Sequence, residues 1–248
     1  MALNTDTRNL GNGMPERYFI SAMDRVLHSS KTLTFVVMTM VYFAVCKPFV
    51  QYPPHTLEAG LLKMLPIWSL AVYVLPPNKA FSDLSVGQQR IVFGLLISSL
   101  GDLCLIWRET LFIPGLLWFS VAHVCYLCAF WSQASQPVKG AQSHSLPMYI
   151  VAAVGTSAYI LQTVPGIIMP YLVIFYSVLL FAVSWRATVC FEYYRSGKSL
   201  AGCLGTVSFL ISDSIIGIDK WVTPIPYAEG LIMSTYYLAQ YGIAVSAT

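Results

Sequence analysis

Eight stretches of this chain are long and apolar enough to cross a lipid bilayer. They cover residues 32–50, 57–75, 91–107, 112–131, 146–164, 167–186, 200–217 and 227–245, and are bounded by proline, glycine and clusters of charge. A spanning helix needs about 20 mainly apolar residues, since each residue rises about 1.5 Å through a hydrocarbon core of about 30 Å. In hydrocarbon every backbone N–H and C=O must bond within its own segment, so these segments are expected to be α-helices. The expected fold class is all-α: a polytopic membrane protein built as an eight-transmembrane-helix bundle. Composition agrees, because 10% of residues are charged and the mean hydropathy is +0.65, where soluble domains carry roughly a quarter charged residues. Connections such as PPNKAFSDLSVGQQ and the Pro165-Gly166 turn leave no room for a separate soluble domain. The expected organisation is a cytosolic N-terminal tail, 1–30, followed by one membrane-embedded domain, 31–248.

Charge distribution suggests an orientation. Lys and Arg are retained on the cytoplasmic side of a membrane protein. With the N-terminus inside, ten of the fourteen basic residues fall in cytoplasmic segments: Arg8, Arg17, Arg25, Lys31, Lys79, Arg90, Lys139, Arg186, Arg195 and Lys198. Lys47, Arg108 and Lys220 fall on the opposite side, and Lys63 lies inside the second span. Both termini are therefore expected in the cytosol. A net charge of +3, scattered along the chain, gives no nucleic-acid surface. The polar first thirty residues lack the apolar core and cleavage site of a secretory leader. Cys104, Cys125, Cys128, Cys190 and Cys203 lie in apolar stretches and read as packing residues. The Cys125-x-x-Cys128 spacing has no second Cys/His pair to complete a metal site.

Ionisable groups inside a span are expensive unless they face a polar cavity or a partner, which makes them functional candidates. Asp102, in FGLLISSLGDLCLIW, and Asp213, in GTVSFLISDSIIGIDKW, are such groups. Each follows a small residue, Gly101 or Ser212, that permits close approach. Both sit late in spans that run the same way, so they are expected at similar depth, free to face each other. Two carboxylates in one apolar site suit acid-base work, one protonated and the other ionised. The structural alternative is that each bonds a neighbouring helix or pairs with Lys63. His123 and Tyr126 are three apart and share a helix face, and Tyr236, Tyr237 and Gln240 form a second polar stripe. Lys63, in LLKMLP, lies beside Pro66, which can loosen the helix; a phosphate or carboxylate partner and snorkelling to the interface are both open. Asp219, Lys220 and Glu229 are expected in solvated loops at the membrane surface, as are Arg108 and Glu109. The soluble-enzyme signatures G-x-S-x-G, the P-loop and H-E-x-x-H are missing from the sequence.

The blocks LLKMLP, GDLCLIW, GLLWFSVAHVCYLCAF, SDSIIGIDKW and IPYAEGLIMSTYYLAQ, in this order over eight apolar spans, resemble the YhhN-type lysoplasmalogenase family, most of all its animal branch. The resemblance runs from about Thr32 to Ala247. It implies hydrolysis of the vinyl ether bond of a lysoplasmalogen with a choline or ethanolamine headgroup, to a fatty aldehyde and the glycerophospho-headgroup. It further implies an endoplasmic reticulum membrane protein with no cofactor and no metal, its paired acids falling on Asp102 and Asp213. Lys63, His123, Tyr126, Tyr236, Tyr237, Gln240 and Lys220 fall on other motif positions as supporting or substrate-binding residues. Asp219 departs from the pattern, where an uncharged residue such as Asn is expected.

The chemistry suits these residues. A vinyl ether is cleaved by protonating its outer alkene carbon, giving an oxocarbenium ion that water attacks to form a hemiacetal. A buried carboxylic acid can supply that proton, and a nearby carboxylate can steady the cation or take the proton from water. Either Asp fits either role at this level. A non-enzymatic lipid transporter or receptor, and a metal-dependent membrane lipid amidase, are the competing readings.

Overall fold

The computed structural model describes residues 30–75, 80–133 and 145–248. The N-terminal tail, and Arg8, Arg17, Arg25, Lys79 and Lys139 of the orientation argument, lie outside the described residues. Among the described residues are eight α-helices and no strand: α1 Ser30–Cys46, α2 Leu57–Val74, α3 Val86–Ile106, α4 Phe112–Gln133, α5 Leu146–Leu161, α6 Ile168–Tyr194, α7 Gly197–Gly217 and α8 Ala228–Ser246. A π turn, Ile218–Val222, extends α7. Helices α2, α3, α4, α6 and α7 with its π turn are each long and apolar enough to cross a membrane, while α1 and α5 are apolar but shorter. The surface is that of a multi-pass integral membrane protein. Leu33, Val151, Val178 and Leu204 point outward, while Ser98, Asp102, His123, Ser184 and Gln240 are buried. Lipid rewards this inversion, because polar groups find partners only inside the bundle.

Each expected span has its helix, with shifts at the ends that have local causes. Helix α3 begins before its apolar run because Ser85 and Gln88 form a reciprocal capping box: the Ser85 Oγ accepts from Gln88 N at 3.3 Å and the Gln88 Oε1 accepts from Ser85 N at 3.0 Å. Helix α1 stops short of residue 50 because Lys47 turns to a left-handed φ of 48° and Pro48 follows. Helix α6 runs eight residues beyond Arg186. That arginine is among the basic residues expected in cytoplasmic segments. It is mostly buried, its guanidinium 4.7 Å from the centre of the Trp131 ring, so the charge rests on an aromatic face.

Helix α8 is innermost, with thirteen of its nineteen residues buried, and it packs on α7, α2 and α3. Its crossing with α7 is built on glycine. A Cβ on Gly242 would stand 2.5 Å from the Ala201 carbonyl oxygen, and one on Gly205 would stand 2.8 Å from that of Ala239. Backbone contact this close depends on small residues, the usual device for joining membrane helices. Helix α5 is peripheral: it leans on α6 and the π turn, and buries only Tyr149 and Ile160.

Candidate active site

Asp102 is sealed in the core. It is 2% exposed, and the Tyr236 hydroxyl donates to its Oδ2 at 2.6 Å. Gln240, one turn along α8, donates to the Tyr236 oxygen at 3.1 Å and to Ser98 Oγ at 3.0 Å, while its own Oε1 accepts from the Tyr126 hydroxyl at 2.7 Å. Four helix positions on α3, α4 and α8 thus form one closed network around a single carboxylate. A hydrogen-bonded network of this kind holds a buried acid that an unpartnered site could not tolerate.

Asp213 has a different tyrosine and a different surrounding. The Tyr176 hydroxyl, from α6, donates to its Oδ2, and His123 Nε2 lies 3.0 Å from that same hydroxyl oxygen. His123 Nε2 is also 4.0 Å from Asp213 Oδ2. The imidazole packs against Phe209 at 4.6 Å between ring centres, and its Nδ1 is buried without a hydrogen-bond partner. With its one proton directed at Asp213, Tyr176 offers the histidine a lone pair, which places a proton on Nε2.

Beside Asp213 lies an apolar cleft of about 660 Å³, open mouth included, between α3, α4, α5, α6 and α7. Asp213 and Tyr176 line it; Asp102 does not. Phe119 stands between. Its ring lines the cleft, covers Gly101, where a Cβ would be 2.6 Å away, and meets Tyr236 edge-on at 5.9 Å. Asp102 lies four residues before the end of α3 at Ile106, and Asp213 four residues before Gly217, after which the π turn extends α7. Each is taken by its own tyrosine, with an aromatic layer between the two. The small residues beside them serve helix packing: Gly101 receives Phe119, and Ser212 Oγ donates to the Ile232 carbonyl of α8 at 3.1 Å.

Lys63 belongs to a third cluster. Its Nζ lies 3.2 Å from Glu229 Oε1, with both side chains buried, and the Tyr42 hydroxyl bonds the same oxygen at 3.5 Å. The Tyr237 ring lies 5.7 Å from that of Tyr236, but its hydroxyl bonds to α2, donating to the Lys63 carbonyl at 2.9 Å, three residues before Pro66. Glu229 is therefore no solvated loop residue. Asp219 is not one either: its carboxylate accepts from Tyr52 at 2.6 Å, Arg108 at 3.3 Å and the Ile225 amide at 3.0 Å. The Tyr52 phenol is pushed up to about 12 by burial and by that bond, against the pull of Arg108. The unusual acid at 219 thus has its own cation, and Lys220 instead approaches Glu109 at 3.9 Å and the Phe112 ring at 4.9 Å.

A family model for the YhhN family matches residues 59–247. The chain belongs to that family. It is 34% identical over 221 residues to lysoplasmalogenase TMEM86A of Bos taurus, covering 88% of each chain. It is 33% identical over 217 residues to the human lysoplasmalogenase TMEM86B, covering 86% of this chain and 84% of the relative. A Mycobacterium tuberculosis lysoplasmalogenase is 29% identical over 175 residues, 68% of this chain and 65% of that one. No solved structure matches. Lys63, both acids, His123 and the α8 polar residues all lie within the family match.

Tyr176 and Glu229 are among the members that the sequence did not single out as site residues, as are Ser98, Tyr42 and Phe119. Tyr176 sits in PYLVIFYSVLLF without a charge to mark it. Glu229 carried a usable signal, since it stands seven residues before Tyr236 and eight before Tyr237, on the helix side of the polar stripe.

Proposed function

We propose that this protein is a lysoplasmalogenase, a hydrolase that cuts the vinyl ether bond of a 1-alkenyl-glycerophospholipid. Family membership and the relatives named above support the activity. The observation that carries the mechanism is the His123–Tyr176–Asp213 chain, which ends on the wall of an apolar cleft.

Asp213, as the acid, gives its carboxyl proton to the outer alkene carbon. The alkene's electron pair forms the new C–H bond, leaving positive charge shared between the inner carbon and the ether oxygen. Asp102, behind Phe119 and bonded by Tyr236, presents carboxyl oxygens whose partial negative charge favours this cation in a low-dielectric site. Water adds to the inner carbon and passes a proton back to Asp213. The hemiacetal collapses by breaking its bond to the glycerol oxygen, which takes up a proton as the hydroxyl gives one up, releasing aldehyde and the glycerophospho-headgroup. No covalent nucleophile or cofactor is used.

Tyr176 suits a group that alternates between acid and base. Its hydroxyl donates to Asp213 when the carboxylate is ionised, with His123 Nε2–H donating in turn to the phenol oxygen. When Asp213 holds its proton on Oδ1, its Oδ2 is a carbonyl oxygen that still accepts from the Tyr176 hydroxyl, so the same bonds serve both states.

The test is product analysis. Purified protein in detergent is given 1-alkenyl, 1-alkyl and 1-acyl lysophospholipids bearing choline or ethanolamine. Aldehyde from the alkenyl lipid alone is expected, because only an alkene conjugated with the ether oxygen forms the oxocarbenium ion. Free fatty acid from the acyl lipid would mark an esterase, and recovery of every lipid intact would mark a carrier. The charge distribution and the likeness to the animal branch support the endoplasmic reticulum membrane as its location, with both termini cytosolic.

A further inference from the structure

The lysoplasmalogenase reading leaves open which way the lipid lies, and the rim of the cleft bears on that. We propose that Lys220, Glu109, Phe112 and Trp221 form a seat for the zwitterionic phosphodiester headgroup. The headgroup then sits at the mouth, the vinyl ether lies against Asp213, and the alkenyl chain points toward Leu180 and Phe181.

Charge at the rim is arranged for such a ligand. Phe112 and Trp221 line the cleft and pack edge-to-face at 5.3 Å. The Lys220 ammonium sits 4.9 Å from the Phe112 ring centre, with the Glu109 carboxylate 3.9 Å away. Arg108 is held chiefly by Asp219 at 3.3 Å and the Tyr52 ring at 4.6 Å, with its Nε 3.9 Å from the same Glu109 oxygen. Lys220 has the loose partner: Glu109 is 74% exposed, and ion pairs of this kind exchange readily for a ligand. A phosphate takes the lysine. The headgroup's ammonium takes the place Lys220 leaves at the exposed Glu109 carboxylate, which Arg108 still flanks, and the aromatic faces beside it.

Length agrees with this orientation. Lys220 follows Asp213 by seven residues, two helical turns and about 10 Å along the axis. In the lipid, seven bonds separate the outer alkene carbon from phosphorus, about 9 Å when extended. The opposite orientation fails on energetics. It would bring a phosphate to Leu180 and Phe181 without a counter-cation, and leave an apolar chain against charged groups at the rim.

The test uses the full chain in detergent with four substrates: 1-alkenyl-glycerophosphocholine, 1-alkenyl-glycerophosphoethanolamine, 1-alkenyl-glycerophosphate and 1-alkenylglycerol. Lys220→Gln should raise KM about tenfold for the three phosphate-bearing lipids, the size of one lost charge-assisted bond. For 1-alkenylglycerol its KM should match wild type. Lys220→Arg should restore most of the loss. Glu109→Gln should raise KM for the choline and ethanolamine lipids and leave that for 1-alkenylglycerophosphate in place. Equal shifts on all four substrates, or no shift on any, overturn the seat while leaving the activity intact. A wild-type protein that releases aldehyde from none of them overturns the lysoplasmalogenase reading itself.

Discussion

The Lys63 ammonium and the Glu229 carboxylate meet at 3.2 Å inside the bundle, both side chains less than a tenth exposed. The bond ties α2 to the first turn of α8, and Tyr42 adds α1 through the same carboxylate oxygen. A buried pair of this kind adds little over a well-packed apolar pair, but each charge is costly once its partner is removed.

Glu229→Gln and Lys63→Met should therefore each destabilise the protein by about 3–5 kcal/mol. For a chain of this size that corresponds to a fall in Tm of roughly 10 °C in detergent. The double variant Lys63→Met/Glu229→Leu should recover most of it. Thermal unfolding decides: a double variant as unstable as the sum of the singles would show that the two charges do not depend on each other.

The two acids and Tyr176 should separate in kinetics. Asp213→Asn and Asp102→Asn are each expected to lower kcat by about 10²- to 10⁴-fold while the protein stays monodisperse. Tyr176→Phe keeps the ring and removes the donor to Asp213, so a fall of about 10- to 100-fold is expected, the value of one hydrogen bond to a charged group. Near wild-type turnover in folded Asp213→Asn would exclude it as the acid.

Proton transfer to carbon should leave a mark on the product. In D₂O the aldehyde should carry one deuterium at its alpha carbon, above the level of exchange in aldehyde controls, and turnover should slow beyond viscosity-matched controls. Mass spectrometry of the quenched product reads both aldehyde and label. Unlabelled aldehyde would mean that the new hydrogen does not come from a solvent-exchanging acid and would exclude Asp213 as the donor.

The α7–α8 crossing should tolerate no added carbon. Gly242→Ala would push a methyl to 2.5 Å from the Ala201 carbonyl oxygen, so a loss of about 1–3 kcal/mol is expected, as for other overpacked cores. Gly155→Ala on α5 meets nothing within 4 Å and should be neutral or stabilising by about 0.5–1 kcal/mol, alanine being the better helix former. Paired melting curves test the contrast; equal effects would deny that backbone contact sets the crossing.

Topology is testable separately. Tags at either end should be digested by protease added to selectively permeabilised cells, as the distribution of Lys and Arg requires. Protection of one end alone would mean an odd number of crossings.

What the sequence determined by itself is the class of solvent and the helical character of the apolar segments among the described residues. Apolar runs of spanning length read directly as helices, because in hydrocarbon the backbone has no other partner. The cost of an ionisable group in lipid likewise made Asp102, Asp213, Lys63 and His123 legible one at a time. Their partners were not. Which tyrosine each acid receives depends on how α4, α6 and α8 rotate and cross, and that is decided by glycine contacts and ring packing between segments over a hundred residues apart, such as Tyr236 and Asp102. Tyr176 carries no charge to announce it, and Glu229 stands where a surface carboxylate would be equally at home; only the lysine brought against it by α2 identifies it as interior. Local periodicity can place a residue on a helix and on a face, but what that face meets is set by the packed bundle.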